Sequence, residues 1–433
     1  MVTAAENELL CRVGPGTRMG AMLREYWHPF LRSDKLKPGG APERVRLLGE
    51  NFVAFRTDDG NVGFVDEACP HRCASLALAR NEGDGLRCIY HGWKIGSCGK
   101  VLDVPIEQPE RREAFAASVK VHRYPVREAG GLIWVFLQED RKPPPFPALE
   151  FTALPDDHVD ARFAYIHCNW IQAFEAVIDS AHLGYLHRSS GMQRVYALEQ
   201  TTKPVRFEIE FHQYGFREAA LRERSDGTDH ARLREFVAPS FSFPPGEVAE
   251  GAILGAITVP VDDEWCIQIW VTYNIRRPLI EIDLDNVWRY VSPNRHNFWE
   301  GASSRDLWGQ DREAMESEDH WSGFVEKPQL YEDFAVLEAM GPIVDRSKEN
   351  LCSTDLIIAK TRRRLLQAIE DYEAGKGVWG IPTEDAPIDY GRIRSIELIL
   401  NTDDDWRTFD SIRISDEIYA KIREKGGMPI AAE

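Results

Sequence analysis

Two rhythms of hydrophobic and polar positions divide this chain. From residue 43 to 137 the apolar positions come in short bursts rich in β-branched and aromatic residues, VRLLG, FVAFR, VGFVD, LRCIYHGW and GLIWVFL, separated by turn signals. That pattern predicts short strands in a small all-β domain. The domain is expected to end at RKPPPFPALEF, residues 141–151, where consecutive prolines remove backbone donors and mark a stiff linker. Beyond it the rhythm lengthens. In NWIQAFEAVIDSAHLGYLH, Trp170, Phe174, Val177 and Ile178 recur at helical spacing. RFEIEFHQYGF (206–216) and EWCIQIWVTYNI (264–275) alternate as strands do, and YEDFAVLEAMG (331–341) and TDLIIAKTRRRLLQAIEDYEAG (354–375) predict a helix pair. The second helix has Ser353 or Thr354 as its expected N-cap and gathers Leu356, Leu365, Ile369 and Tyr372 near one face. From about residue 376 the periodicity fades, and this remainder is expected to wrap the surface.

Composition narrows the functional classes. A chain of 433 residues has room for two or three domains with a sizeable core. Eight cysteines are too few for a disulfide scaffold of this length. The opening MVTAAENELLCRVGPGTRMG has no basic segment followed by an apolar run, and no window reaches the roughly 18 apolar residues of a membrane span. A cytoplasmic location away from membranes is therefore expected, with cysteines serving as thiols or metal ligands. The net charge of −18 argues against nucleic acid as a partner. It also means that an anionic substrate needs a local basic pocket.

Residues 69–93, CPHRCASLALARNEGDGLRCIYHGW, carry three cysteines and two histidines, more soft ligands than one metal ion needs. Parsed as C-x-H and C-x2-H with sixteen residues between, they give Cys69, His71, Cys88 and His91. Two thiolates on one iron and two imidazoles on the other form the ligand set of a Rieske [2Fe-2S] centre, whose neutral imidazoles lower the cluster's negative charge and raise its potential. The competing parse is structural zinc held by Cys69, Cys73, Cys88 and His91, which leaves His71 unused.

CPHR, RCIYHGWKI and GKVLDVP together resemble the Rieske domain of the Rieske non-haem iron aromatic-ring oxygenases. ENELLCRVGPGTRMGAMLREYWHPF is similar to the start of the phthalate dioxygenase-like oxygenase (alpha) components, and the resemblance runs from about residue 6 to 375. It implies an α+β chain: an N-terminal all-β Rieske domain, then a catalytic domain whose antiparallel sheet is covered by helices in a helix-grip arrangement. The expected divisions are a segment 1–42 packing on the catalytic domain, the Rieske domain 43–140, the linker 141–151, the mononuclear-iron domain 152–375 and an extension 376–433. Cys73 stands where the family commonly has glycine, and its thiol is expected to be a small buried filler.

A Rieske domain needs little more than a hundred residues, so the rest of the chain must do something else. In DSAHLGYLH, Asp179, His182 and His187 form D-x2-H-x4-H. Asp179 and His182 share a helix face, whereas both imidazoles reach one metal only if the helix ends or bends between them, as Gly184 would allow. Two histidines and a carboxylate form the facial triad of non-haem Fe(II) oxygenases; two histidines near a helix end can also be purely structural. The resemblance implies that His182 and His187 bind Fe(II) and that Asp179 is the carboxylate linking the two metal centres. Asp333, in EDFAVLEAMG, resembles the family's E-D-x2-V-x-E segment that supplies the third ligand. Asp355 competes for that role, against a reading in which it stabilises the start of a helix.

The resemblance further implies a homotrimer or a pair of trimers, in which one subunit's cluster serves its neighbour's iron. No G-x-G-x-x-G follows a strand and no plant-type C-x4-C-x2-C run occurs, so electrons from NAD(P)H are expected to come through a separate flavin or iron-sulfur reductase. Similarity to the phthalate group implies O2-dependent dihydroxylation of an aromatic acid. Arg217, Arg232 and Arg234 are the candidates to hold its carboxylate, the last two on one face if their run is a strand. Two alternatives stay open: O-demethylation of a methoxylated aromatic acid, and an electron carrier with no catalytic iron.

Overall fold

The computed structural model describes residues 2–139, 141–188, 205–245, 252–281, 283–284, 293–300, 303–401, 403–412, 414 and 416–417. Two compact units emerge: residues 12–146 together with 259–263, and the remainder of the described chain. Among the described residues no helix is long and apolar enough to cross a membrane.

The first unit is built from short antiparallel strands. Glu43–Leu47, Glu50–Arg56 and Val62–Asp66 form one sheet, and Arg80–Asn81, Gly85–Arg87, Lys94–Gly96 and Val101–Asp103 form another. A third places Leu132–Phe136 between Trp27–Arg32 and Val126–Ala129. That last pairing corrects the expected boundary at residue 42: Trp27–Arg32 has its hydrogen-bonding partner in Leu132–Phe136, so residues 12–42 belong with this unit and only those up to Cys11 with the other. LRCIYHGW is also not one strand. Pairing ends at Arg87 and resumes at Lys94, which leaves Cys88 and His91 on a loop.

The second unit centres on an eight-stranded sheet in the order Val159–Ile166, Cys266–Tyr273, Ile253–Pro260, Phe241–Phe243, Asp229–Val237, Gly215–Glu223 and Arg206–Phe211, with Ile396–Leu400 also paired to Asp229–Val237. RFEIEFHQYGF is thus a hairpin rather than a single strand: Arg206–Phe211 turns back at 212–214 into Gly215–Glu223. The segment after 376 does more than wrap the surface, because Ile396, Leu400 and Trp406 bury against Ala219, Leu221, Ala231 and Leu233. Its five-residue strand is too short for periodicity to reveal. The end of the expected extension, residues 418–433, lies outside the described residues.

Helices Ala4–Cys11, Trp170–Ile178, Gln329–Ala339 and Leu356–Glu373 complete this unit. Leu356–Glu373 buries Ile358, Thr361, Arg362, Leu365 and Ile369, while Leu356 is exposed. Its start is held by Asp355, whose Oδ2 accepts from Cys352 N at 2.7 Å, so neither Ser353 nor Thr354 is the cap. Buried charge ties three segments together: Glu175 on the Trp170–Ile178 helix meets Arg346 at 3.1 Å and Arg362 at 2.6 Å. Those guanidiniums outweigh the burial that opposes its charge and hold the Glu175 carboxyl below its ordinary range.

Candidate metal centres and a buried arginine face

The cluster motif folds into two loops of one design. Cys69 N donates to Ala74 O at 2.8 Å and Cys73 N donates to Cys69 O at 2.9 Å; in the second loop Cys88 N donates to Trp93 O at 2.8 Å and Gly92 N donates to Cys88 O at 2.9 Å. Each loop therefore closes on its own backbone, with a cysteine at its base and a left-handed residue four positions on. That residue is Gly92 at φ 76° in one loop and Cys73 at φ 58° in the other. Glycine is favoured at both places because it alone adopts this conformation without steric cost. Cys73 is exposed, not a buried filler: a left-handed corner turns its side chain away from the loop interior.

Cys69 and Cys88 are buried in a core with Val53, Phe55, Leu76, Leu86 and Trp93. The His71 and His91 rings lie 4.5 Å apart, and His71 stacks on Trp93 at 4.7 Å. His91 Nδ1 is buried without a hydrogen-bond partner among the described residues, as a ligand nitrogen aimed at a metal would be. Burial pushes the Cys69 thiol up to about 11, so a thiolate there needs iron's positive charge. Two sulfurs and two imidazoles with these properties fit a Rieske cluster. The zinc parse fails on Cys73, which the loop turns outward.

The second constellation starts where a helix stops. Asn169 caps the Trp170–Ile178 helix, its Oδ1 accepting from Ile171 N at 3.2 Å. Trp170 Nε1 donates to Leu10 O at 3.1 Å, and Gln268 Nε2 donates to Ala173 O at 2.8 Å, which fixes the helix in place. At Asp179 the backbone turns extended, and its own Oδ1 accepts from Ala181 N at 2.7 Å. An aspartate that bonds the backbone two residues on competes with helix continuation. The break thus comes at Asp179, before both histidines, and not at Gly184; His182–Gly184 is one turn of 3-10 helix.

This break brings both imidazoles to the Gln329–Ala339 helix. His182 Nε2 and His187 Nε2 each lie 3.3 Å from Asp333 Oδ1. The far sides of the rings face other carboxylates, His182 Nδ1 at 3.5 Å from Asp179 Oδ2 and His187 Nδ1 at 2.5 Å from Glu332 Oε2. A carboxylate only accepts, so each Nδ1 donates to the carboxylate on its far side, and a metal ion beside Asp333 would take the place of the proton on each Nε2. Two imidazole nitrogens and a carboxylate oxygen thus converge on one point, where protons on the rings or a shared metal ion balance the Asp333 charge. Their ligand atoms fall within 4.8 Å of one another, and this is the group of metal-binding geometry among the described residues. Burial opposes a charged imidazole here, yet Asp179 and Asp333 outweigh it and hold His182 up to about 9. Burial likewise opposes the Asp333 charge, and His187 and His182 override it, holding this carboxyl well below the ordinary range. The donor set fits Fe(II), and Asp355 serves its helix instead.

Across the sheet, alternation sorts the arginines. Gly215–Glu223 pairs with Asp229–Val237 so that Glu218 faces Arg234, Ala220 faces Arg232 and Arg222 faces His230. These even positions share one face, and Glu218, Arg222, Arg232 and Arg234 are all buried on it. Arg234 Nη2 donates to Ser180 Oγ at 2.9 Å and Arg222 Nη2 to Ser180 O at 3.2 Å, next to Asp179. Among the described residues, Arg222 Nε and Nη1 have no hydrogen-bond partner. Arg217 is on the opposite face. Its guanidinium is taken up by Glu235 at 2.8 Å, Phe409 O at 2.8 Å and Ser411 Oγ at 2.5 Å, so the structure does not bring it together with Arg232 and Arg234.

Glu332, Ser180 and Arg222 escaped the sequence reading. Glu332 adjoins Asp333 in the same dipeptide and Arg222 continues the alternation of 218 and 220, so spacing held both signals once a strand and a helix face were known.

The Rieske [2Fe-2S] domain family model matches residues 26–125, and the LigXa C-terminal domain like model matches residues 135–427. The phthalate 4,5-dioxygenase oxygenase subunit of Pseudomonas putida is 36% identical, covering 95% of each chain. The 3-chlorobenzoate-3,4-dioxygenase oxygenase subunit of Comamonas testosteroni is 35% identical over 86% of this chain and 90% of its own. In fold, the chain matches the terminal oxygenase of carbazole 1,9a-dioxygenase from Nocardioides aromaticivorans IC177 with a TM-score of 0.57 at 16% identity, covering 84% of this chain and 96% of that one.

Proposed function

This chain belongs to the Rieske non-haem iron oxygenases, as the alpha subunit of a terminal oxygenase acting on aromatic compounds, and from that premise we propose that it dihydroxylates an aromatic carboxylate. The observation that carries the reading is the buried arginine face beside Asp179 and Ser180. A protein of net charge −18 repels an anion at long range, and arginines taken out of water on one sheet face supply the local counter-charge such a substrate needs. Two relatives above 30% identity are named for substrates of this kind, phthalate and 3-chlorobenzoate.

In this reading Arg222 and Arg232 hold the carboxylate, Arg222 through its Nε and Nη1, which have no hydrogen-bond partner among the described residues. Arg234, bonded to Ser180, steadies the turn that leads to His182. Fe(II), when held by His182, His187 and Asp333, would supply the O2 chemistry, and a cluster held by Cys69, His71, Cys88 and His91 would supply the electrons. The protein's own contribution is position: the carboxylate anchor decides which ring carbons face the iron, and a near-attack geometry is worth several kcal/mol of barrier. Asp179 supports His182 and offers a polar bridge to the cluster of a neighbouring subunit in a homotrimer or pair of trimers. Both oxygen atoms enter the product, and the electron pair this requires comes from NAD(P)H through a separate reductase.

The test is O2 uptake with a surrogate reductase and NADH across benzoates, phthalates and methoxybenzoates, with product mass followed in parallel. A dihydrodiol formed from an aromatic carboxylate is expected. Formaldehyde released from a methoxybenzoate, with no dihydrodiol from any acid, would overturn it; the 29% identical 5,5'-dehydrodivanillate O-demethylase oxygenase subunit of Sphingobium sp. (strain NBRC 103272 / SYK-6) gives that outcome a precedent among relatives.

A further inference from the structure

The Gln329–Ala339 helix turns two consecutive carboxylates toward one imidazole. Asp333 Oδ1 lies 3.3 Å from His187 Nε2, on the ligand side of the ring, and Glu332 Oε2 lies 2.5 Å from His187 Nδ1, on the far side. We infer that Glu332 is a positioning residue of the mononuclear site: it accepts the Nδ1–H of His187, holds the ring with Nε2 turned toward Asp333, and thereby sets how tightly the site holds Fe(II). The inference rests on His182, His187 and Asp333 being the iron ligands.

Three observations support it. Glu332 is 4% exposed and His187 2%, so water does not screen the bond between them. The other oxygen of Glu332 accepts from Ser322 Oγ, so the carboxylate is held at both ends and cannot swing away from the ring. Glu332 and Asp333 are adjacent on a helix anchored on either side of them: Tyr331 OH donates to Phe298 O at 3.0 Å, and Glu338 accepts from Trp299 Nε1 at 2.8 Å and Trp308 Nε1 at 2.6 Å. A carboxylate behind a metal-bound imidazole raises its basicity and locks its tautomer. His182 has the weaker version of this support, with Asp179 at 3.5 Å and 27% exposed. Of the two histidines, His187 is therefore the one held by a short, dry bond.

The experiment uses the full-length enzyme loaded with Fe(II) and titrated with a ferrous chelator, while cluster absorbance and melting temperature are followed. Glu332→Gln keeps the size and an acceptor oxygen but removes the charge and permits the amide N–H2 to face the ring. A packing role predicts wild-type iron affinity in that variant. The positioning role predicts iron bound about 10- to 100-fold more weakly, with the cluster spectrum intact. Iron affinity within threefold of wild type in folded Glu332→Gln overturns the inference. If that variant does not fold, Ser322→Ala decides: a loss of at least threefold supports the role, and a smaller one overturns it. Asp333→Ala in the same titration separates the two assignments, because retained iron there would refute the ligand set itself.

Discussion

At the cluster pocket, two loops each close on their own backbone, and every ligand lies within a few residues of the hydrogen bonds that hold it. At the mononuclear site, His187 and its partner Glu332 stand 145 positions apart in sequence, and neither element can form the site alone. The first kind of site depends on local turns and the second on the packing of whole helices. Locality should therefore decide which perturbations each survives.

The largest expected effects separate the two outright. Asp333→Ala should abolish mononuclear iron and turnover while leaving the visible spectrum of the cluster unchanged; Cys69→Ser should lose the cluster spectrum and turnover while keeping mononuclear iron. Iron per chain and the visible spectrum, measured on both variants, check this. Mixing the cluster-dead Cys69→Ser chain with an iron-dead His182→Ala chain then tests the proposed assembly. Partial activity in proven hybrids is expected if electrons cross between subunits, and no activity if they stay within one chain.

Next in size is the support behind the mononuclear site. Glu175 lies one turn before Asp179, and its bonds to Arg346 and Arg362 hold the helix that ends there. Removing one arginine leaves buried charge undercompensated, at a cost of about 3 kcal/mol, so Arg346→Met should lower the melting temperature of the iron-bearing unit and leave cluster absorbance in place. The sign of the pH dependence follows from the depressed carboxyl. Stability from the charged Glu175 is complete above the ordinary glutamate value of 4.5 and is lost as pH falls through the lower folded value. Melting curves from pH 7 down to 3 should therefore show the wild type's advantage over Glu175→Gln shrinking only at the acid end.

The same contrast explains what could be read in advance. Cys69, His71, Cys88 and His91 were legible because their chemistry is written in two short spacings. Asp333 was legible only through resemblance, since distance along the chain carries no information about a contact formed by folding. The arginines show the limit most clearly. Arg217 and Arg232 look equivalent as sequence, yet one residue of strand register puts them on opposite faces, and only Arg232 stays among the buried arginines beside Ser180. Arg222 joins that face for the same reason. If it anchors the substrate carboxylate, Arg222→Met should raise KM for an aromatic acid by about tenfold, the value of one charge-assisted hydrogen bond pair, with no such rise for an uncharged analogue; an equal rise for both would remove it from the anchor.

The smallest effect returns to the two cluster loops and their corner residues. The backbone asks the same of Gly92 and of residue 73, a positive φ under a hydrogen bond to the carbonyl of the ligand cysteine. Gly92 meets it freely, whereas Cys73 carries a side chain into a conformation that costs about 1 kcal/mol for any residue but glycine. Because that side chain is exposed, removing it forfeits almost no packing. Glycine also loses more chain entropy on folding, which offsets part of the gain, but at φ 58° the relief of backbone strain outweighs that loss. Cys73→Gly should thus stabilise the cluster unit by up to about 1 kcal/mol, seen as a small rise in melting temperature with iron content and cluster spectrum unchanged. A fall in stability would mean the thiol has a contact worth more than the strain, and loss of the cluster would return Cys73 to the ligand set.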